Sequence, residues 1–136
     1  MKQKHTRSRL TYLTCALFFL ALLSVAHAAD PAPISATELW KAYETDPAAA
    51  DKVYKGKTIV VTGSVYFAGV NPISQAINVT LKDDEGKDRI ACTFPASAKA
   101  AVTALKEDDK VTIKGTGAGP LFTMGVNLKD CELVKH

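Results

Sequence analysis

Histidine and arginine are scarce in this chain of 136 residues, and their positions exclude more than their numbers do. The histidines are His5, His27 and His136, so none lies inside the region from Asp30 to Lys135. A Ser-His-Asp relay or a histidine metal site needs a positioned imidazole, and a chain terminus is a poor place to hold one. No C-x-x-C pair is present. Asp83, Asp84, Glu85 and Asp88 cluster, but the alternating oxygen ligands and distant Glu of a calcium loop fail after Gly86, which leaves a solvated hairpin tip. Gly115, Gly117 and Gly119 precede Pro120 and a strand-like run, whereas a phosphate loop aims its amides from a helix amino terminus. No catalytic residue, metal or cofactor is expected, and the chain reads as a non-enzyme.

What is present begins with a leader. Lys2, Lys4, Arg7 and Arg9 come without an acidic residue, and an apolar run from Leu13 to Val25 ends in Ala26-His27-Ala28. Positive leader, short apolar stretch and A-x-A site form the pattern of a secretory signal. The run is shorter than the roughly 20 residues of a spanning helix, so cleavage after Ala28 is expected rather than a retained anchor. Tyr12-Leu13-Thr14 before Cys15 is a poor lipobox. The expected location is the periplasm or the exterior.

Charge must be counted without that leader. Four of the 17 Lys+Arg and none of the 14 Asp+Glu lie in residues 1–28, so residues 29–136 carry 13 against 14, a net of −1. Arg89 is the one arginine left. A strongly basic face would steer nucleic acid or acidic lipid and release counterions, and this composition lacks one.

Cys15 leaves with the signal, and Cys92 and Cys131 remain. An even pair in an exported chain is most simply a disulfide. Closing a loop of this length is worth about 4 kcal/mol in the chain-entropy model, a large share of the roughly 5–15 kcal/mol that holds a domain folded.

The remaining residues suit one domain. Residues 29–34 hold two prolines and read as a flexible lead-in, with a single domain over 35–136. Ser35 and Glu38 form a capping box that should open a helix, with Leu39, Trp40, Ala42 and Tyr43 as its apolar side. Asp46-Pro47 should interrupt it, and Ala48 to Val53 should add a turn. Lys57 to Phe67 reads as a long first strand with a bulge or bend at Gly63, followed by a turn from Ala68 to Pro72. Ala76 to Leu81 is the second strand and Asp88 to Phe94 the third, with a tip at Lys82–Lys87 between them. Pro95 should start a helix with Ala98, Ala101, Val102 and Leu105 on its apolar stripe. Lys110 to Thr116 is the fourth strand, Gly117–Pro120 a loop, and Leu121 to Leu133 the fifth. In the last, Phe122, Met124, Val126 and Leu128 share a phase that Cys131 and Leu133 break, so a bulge near Lys129-Asp130 is expected.

A helix between the third and fourth of five strands is the order of the OB-fold, a mainly β, five-stranded Greek-key barrel, here with an added amino-terminal helix. An open α+β sheet is the alternative. In the barrel the third and fifth strands lie side by side, which would make Cys92 and Cys131 neighbours.

The helix with Leu39 and Tyr43, then Tyr54-Lys55-Gly56-Lys57, Val61-Thr62-Gly63, Cys92-Thr93-Phe94 and Val111-Thr112-Ile113-Lys114-Gly115 before a late cysteine, resemble the tRNA_anti-like family. The resemblance runs from about Ser35 to Leu133 and implies an exported OB-fold domain. It implies no settled activity, and it carries no functional residue over.

Aromatic side chains on such a face can stack bases. Tyr66, Phe67 and Phe122 are the candidates, although plain strand alternation sends Tyr66 and Phe67 to opposite sides. Lys57, Lys82 and Lys114, with Lys55, would supply positive charge. The expected function is a non-enzymatic binding module for a peptide, a glycan or an envelope protein. The alternatives are single-stranded nucleic acid or tRNA-type binding, and an assembly role through the amino-terminal helix and Trp40.

Overall fold

The computed structural model describes residues 29–122 and 124–135, the last by its backbone alone. The signal segment, Cys15, His5, His27 and His136 lie outside the described residues.

The chain opens with a two-residue strand, β1 (Ile34–Ser35), that pairs in parallel with Val61 and Thr62, a strand absent from the sequence reading. Helix α1 (Ala36–Thr45) starts where the capping box places it: Ser35 Oγ accepts from the Glu38 amide at 3.1 Å, and the Ser35 amide donates back to Glu38 Oε2 at 3.1 Å. Those bonds to Ser35 hold the Glu38 carboxyl below its usual range. Asp46 then ends α1 and caps α2 (Pro47–Tyr54), accepting from the Ala49 amide at 3.0 Å, with Pro47 in the first helical turn, where its missing N–H costs nothing. Ala36, Leu39, Trp40 and Tyr43 turn inward from α1, and Ala50 from α2.

The five strands of the barrel follow: β2 (Thr58–Val70), β3 (Ile77–Lys82), β4 (Asp88–Phe94), β5 (Lys110–Leu121) and β6 (Gly125–Lys135). Strand β2 pairs antiparallel with β5 from Thr58 to Ser64 and with β3 from Ser64 to Val70. Strands β3 and β4 form a hairpin, and β4 meets β6 in parallel at Ile90, Ala91 and Cys92. With β5 pairing both β6 and β2, the sheet closes on itself. This is the OB-fold barrel. A 3₁₀ turn (Ala96–Ala98) and α3 (Lys99–Thr103) join β4 to β5. That helix is shorter than the sequence suggested: Val102 and Leu105 are buried, whereas Ala101 faces solvent.

Other expectations are corrected by the pairing. Gly63 marks the bend and not the bulge, since β2 passes from β5 to β3 at Ser64. The glycine sits in register opposite Val111, and an added Cβ would lie 3.2 Å from the Ala36 Cβ and 3.4 Å from the Leu81 Cβ, so it admits the start of α1. The bulge lies at Tyr66, between the pairs Val65↔Leu81 and Phe67↔Thr80, and β2 continues to Val70 where a turn was expected. Gly117–Pro120 is strand, not loop. Gly115, Gly117 and Gly119 are buried along β5 because neighbours pack directly on their backbone: a Cβ at 115 would sit 2.6 Å from Cys131 Sγ, and one at 117 would overlap the Tyr54 carbonyl. The bulge at Asp130 is present, with Lys114↔Glu132 and Thr116↔Lys129 flanking it and a positive φ of 51°. It turns Val126, Leu128 and Cys131 all inward. Phe122 and Met124 do not share that phase, because the β5–β6 tip carries them into solvent.

A polar clasp joins α1, the β3–β4 tip and the β5–β6 tip. Asp83 Oδ1 accepts from the Glu85 and Lys87 amides at 2.9 Å each, and Oδ2 accepts from Arg89 Nε at 3.0 Å. The Arg89 guanidinium lies 4.6 Å over the Trp40 ring and reaches the Met124 carbonyl at 3.4 Å. Burial alone would raise the Asp83 pKa; the bonds from the Lys87 amide, Arg89 and the Glu85 amide outweigh it and bring the carboxyl below its usual range.

Two outcomes are expected. Gly117→Ala should destabilise the protein by about 1–3 kcal/mol through overpacking, measured by urea unfolding, while Ala101→Ser on the exposed side of α3 should stay within about 0.5 kcal/mol. Asp83→Asn should cost roughly 1–3 kcal/mol at pH 7 through loss of its charged bonds. Because the folded pKa is depressed, that contribution exists above the unfolded carboxylate value near 3.9 and disappears as pH falls through the folded value. Wild-type and variant stabilities should therefore begin to converge as pH falls below about 4 and meet only below the folded value.

Candidate ligand-binding face

The bulge at Tyr66 sets the surface of the barrel. Val65 and Ala68 pair with the buried Leu81 and Val79, so both point inward, and the two residues between them point out. Tyr66 and Phe67 are 46% and 49% exposed, side by side on one face rather than on opposite sides as simple alternation would have them. Phe67 leads a row across four strands, Phe67–Thr80–Ala91–Asn127, each member in register with the next. Gly69, Asn78 and Thr93 form the neighbouring row. At about 4.8 Å between strands, four strands make a face roughly 14 Å wide. Phe67 curls over Gly69, its Cζ 3.1 Å from where a Cβ would stand.

Apolar side chains rim this floor. Ile73, in the β2–β3 turn, is 94% exposed. The β5–β6 tip presents Phe122 at 85% and Met124 at 63%. Both tips are held in shape: Asn71 Oδ1 accepts from the Ile73 and Ser74 amides at 2.9 and 3.0 Å, and Arg89 ties down Met124. Loops of this kind flank the binding surface in OB-folds. Ile73 and Met124 carry no signal in the sequence, because loop apolar residues become informative only when strand pairing shows what they border.

The candidate lysines do not converge on this face. Lys57 donates to the Lys52 carbonyl at 3.0 Å, beside the pairing of β2 with β5. Lys114 pairs with Asp30 at 2.7 Å, and that bond raises its pKa. Lys82 pairs with Asp108 at 2.6 Å and Glu107 at 3.7 Å; the Asp108 bond, opposed by burial, raises its pKa. Tyr66 therefore belongs to the floor and Phe122 to its rim, while Lys57, Lys82 and Lys114 are engaged within the protein. The floor's charged neighbours are Lys82, which continues the outward side of Asn78 and Thr80 but is paired with Asp108, its register partner Asp88, pushed up chiefly by burial, and the exposed Lys129. Thr80 Oγ1, in the middle of the row, is buried without a hydrogen bond of acceptable geometry, although it lies near enough to Asp88 to favour the carboxylate.

A cavity of about 910 Å³ lies elsewhere. It is an open groove between the start of α1 and the strands β2 and β5, bordered by Ser35, Thr62, Ser64, Lys82, Asp108 and Lys110. Its charges are of both signs: Lys82 pairs with Asp108, and Lys110 donates to Ser64 Oγ at 2.6 Å. A second buried polar spot joins Tyr43 and Asp51. Burial first, and the Asp51 carboxylate second, push the Tyr43 phenol up to about 12, yet Tyr43 Oη and Asp51 Oδ1 do not meet in hydrogen-bonding geometry. Among the described residues no group of His, Cys, Asp and Glu could hold a metal ion, and no helix is long and apolar enough to cross a membrane.

Cys92 and Cys131 are both buried and unlinked. The neighbouring Cys131 thiol first, and burial second, raise the Cys92 pKa well above the usual thiol value.

No match was found among curated proteins. Solved structures do match. A protein from Klebsiella pneumoniae subsp. pneumoniae, provisionally described as a nucleic acid-binding lipoprotein, is 24% identical, with a TM-score of 0.64 over 76% of this chain and 92% of its own. An OBody bound to hen egg-white lysozyme is 20% identical, with a TM-score of 0.47 over 61% of this chain and 86% of that one. The likeness to the Klebsiella protein concerns the fold. The tRNA_anti-like family model matches residues 9–132, nearly the whole sequence, and the chain belongs to the tRNA_anti-like family.

Proposed function

We propose that this protein is a non-enzymatic, exported binding module that holds an extended peptide or glycan segment of an envelope partner across the outward face of β2, β3, β4 and β6. The observation that carries the reading is the pair Tyr66 and Phe67, both turned outward at the head of an uncharged floor of Thr80, Asn78, Ala91, Thr93 and Asn127. Aromatic rings next to Thr and Asn side chains offer stacking area together with hydrogen bonds, which suits a ligand that is polar but not charged. Export is supported by the leader and by the lipoprotein description of the Klebsiella protein.

Single-stranded nucleic acid is the second reading. Two adjacent exposed aromatics are suited to base stacking, and the Klebsiella protein is described in those terms. The electrostatics favour the first reading: phosphate binding draws on clustered Lys and Arg, and here Lys82, Lys114 and Arg89 are tied to Asp108, Asp30 and Asp83. An assembly role through Trp40 has less support, since that ring is buried beneath Arg89.

Fluorescence anisotropy with labelled single-stranded DNA and RNA, from about 20 to about 200 mM salt, separates the two. Little or no binding is expected at the lowest salt; tight binding that falls steeply with salt would establish the nucleic-acid reading instead. For a peptide or glycan that binds, Tyr66→Ala and Phe67→Ala should each weaken affinity about tenfold or more, a loss of roughly 1–3 kcal/mol per ring. Unfolding temperatures should stay near the wild-type value, because both rings are already half in solvent.

A further inference from the structure

Strands β4 and β6 close the barrel by the shortest of its long-range pairings, from Ile90↔Val126 to Cys92↔Leu128, whereas β2 and β5 pair from Thr58↔Thr116 to Ser64↔Lys110. Parallel pairing is slightly less stable per residue than antiparallel, so this junction is the place where the barrel opens most easily. Cys92 stands on one side of it. On the other side the bulge at Asp130 swings Cys131 inward, onto the bare backbone of Gly115. Both thiols are fully buried, at 0% and 1% exposure, with Cys92 in register opposite Leu128, three residues before Cys131, and near enough to Cys131 for that thiol to raise its pKa. An added Cβ at Gly115 would come 2.6 Å from Cys131 Sγ, so the glycine keeps the space in which that sulfur sits.

We infer that Cys92 and Cys131 are the site of a disulfide that locks β4 to β6, so that closure of the barrel is completed by oxidation. The two thiols give up two electrons and two protons to an external disulfide: a mixed disulfide forms on one cysteine, the other displaces it, and the oxidant leaves as two thiols. Burial prevents an oxidant from reaching either sulfur in the closed barrel. The bond therefore forms while the junction is open, before or during folding, and once formed it resists reductants that attack exposed sulfurs. Ala91 and Asn127, next to the junction and facing outward, belong to the floor of the proposed binding face, so the lock also fixes their spacing.

The full chain, unfolded and refolded in glutathione and glutathione disulfide, is quenched in acid, alkylated in denaturant at neutral pH with excess reagent, and digested with trypsin. The peptides Ile90–Lys99 and Asp130–Lys135 should be recovered joined, two hydrogens lighter than their sum. After reduction in denaturant and refolding without oxidant, the unfolding temperature should fall by about 10 °C or more. Amide exchange at Ala91, Cys92, Asn127 and Leu128 should then quicken at least tenfold, with Ile59 to Thr62 little changed. Recovery of the two peptides separately and fully alkylated after oxidative refolding would overturn the proposal. Equal exchange rates in the linked and reduced forms would overturn the claim that the bond locks this junction. A Cys92→Ala/Cys131→Ala variant should exchange as the reduced wild type does, even where its unfolding temperature drops further because of the cavities it opens.

Discussion

The barrel depends on one strand having two neighbours. In its first half β2 hydrogen-bonds β5, in its second half β3, and Ser64 belongs to both pairings. A strand can change partners only by bending, and the sequence supplies the means at two points. Gly63 lets the start of α1 and Leu81 crowd the backbone where the change occurs. Three residues on, the extra residue at Tyr66 coils the strand further, as bulges do. Closure, the inward set of Val61, Val65, Val79, Leu81, Ile90 and Ile113, and the outward set that includes Phe67 all follow from that path.

The same bulge shapes the proposed binding face. Without it, Tyr66 and Phe67 would lie on opposite sides of the sheet, and one ring would compete for core space with Leu81 and Val79. With it, both rings stand in solvent at the edge of a floor built from short, mostly uncharged side chains. Three of the basic groups that would suit phosphate, Arg89, Lys114 and Lys82, are paired within the protein by Asp83, Asp30 and Asp108. A surface that is aromatic at one side, polar in the middle and apolar at its loop tips suits recognition by shape, stacking and hydrogen bonds more than by charge.

Local chemistry was legible in the sequence. Ser35 with Glu38 and Asp46 with Pro47 act on neighbours within one helical turn, and both operate as read. The alternation of Ile77, Val79 and Leu81, and of Ile90, Cys92 and Phe94, marks the buried side of β3 and β4 directly. The bulge at Asp130 was legible because a break in apolar phase can be reconciled in few ways. Features set by distant partners were not. The bulge at Tyr66 appears only once β3 is laid beside β2. Gly117 and Gly119 looked like a loop because what presses on them, the Tyr54 carbonyl and the Asp51 and Lys55 side chains, comes from far along the chain. Lys82 and Lys114 looked free because Asp108 and Asp30 are brought to them by the fold. Phe122 and Met124 matched a strand period by chance, at positions where the chain turns.

The most direct test of the account is amide shift mapping of the oxidised, isotope-labelled protein, titrated with a panel of uncharged peptides and envelope-type oligosaccharides. Shifts from a bound ligand are predicted to centre on Tyr66 to Gly69, Asn78, Thr80, Ala91 and Asn127, with further changes at Ile73 and Met124. Shifts centred instead on the groove at Ser35, Ser64 and Lys110, or on Lys55 and Lys57, would contradict the assignment of this face.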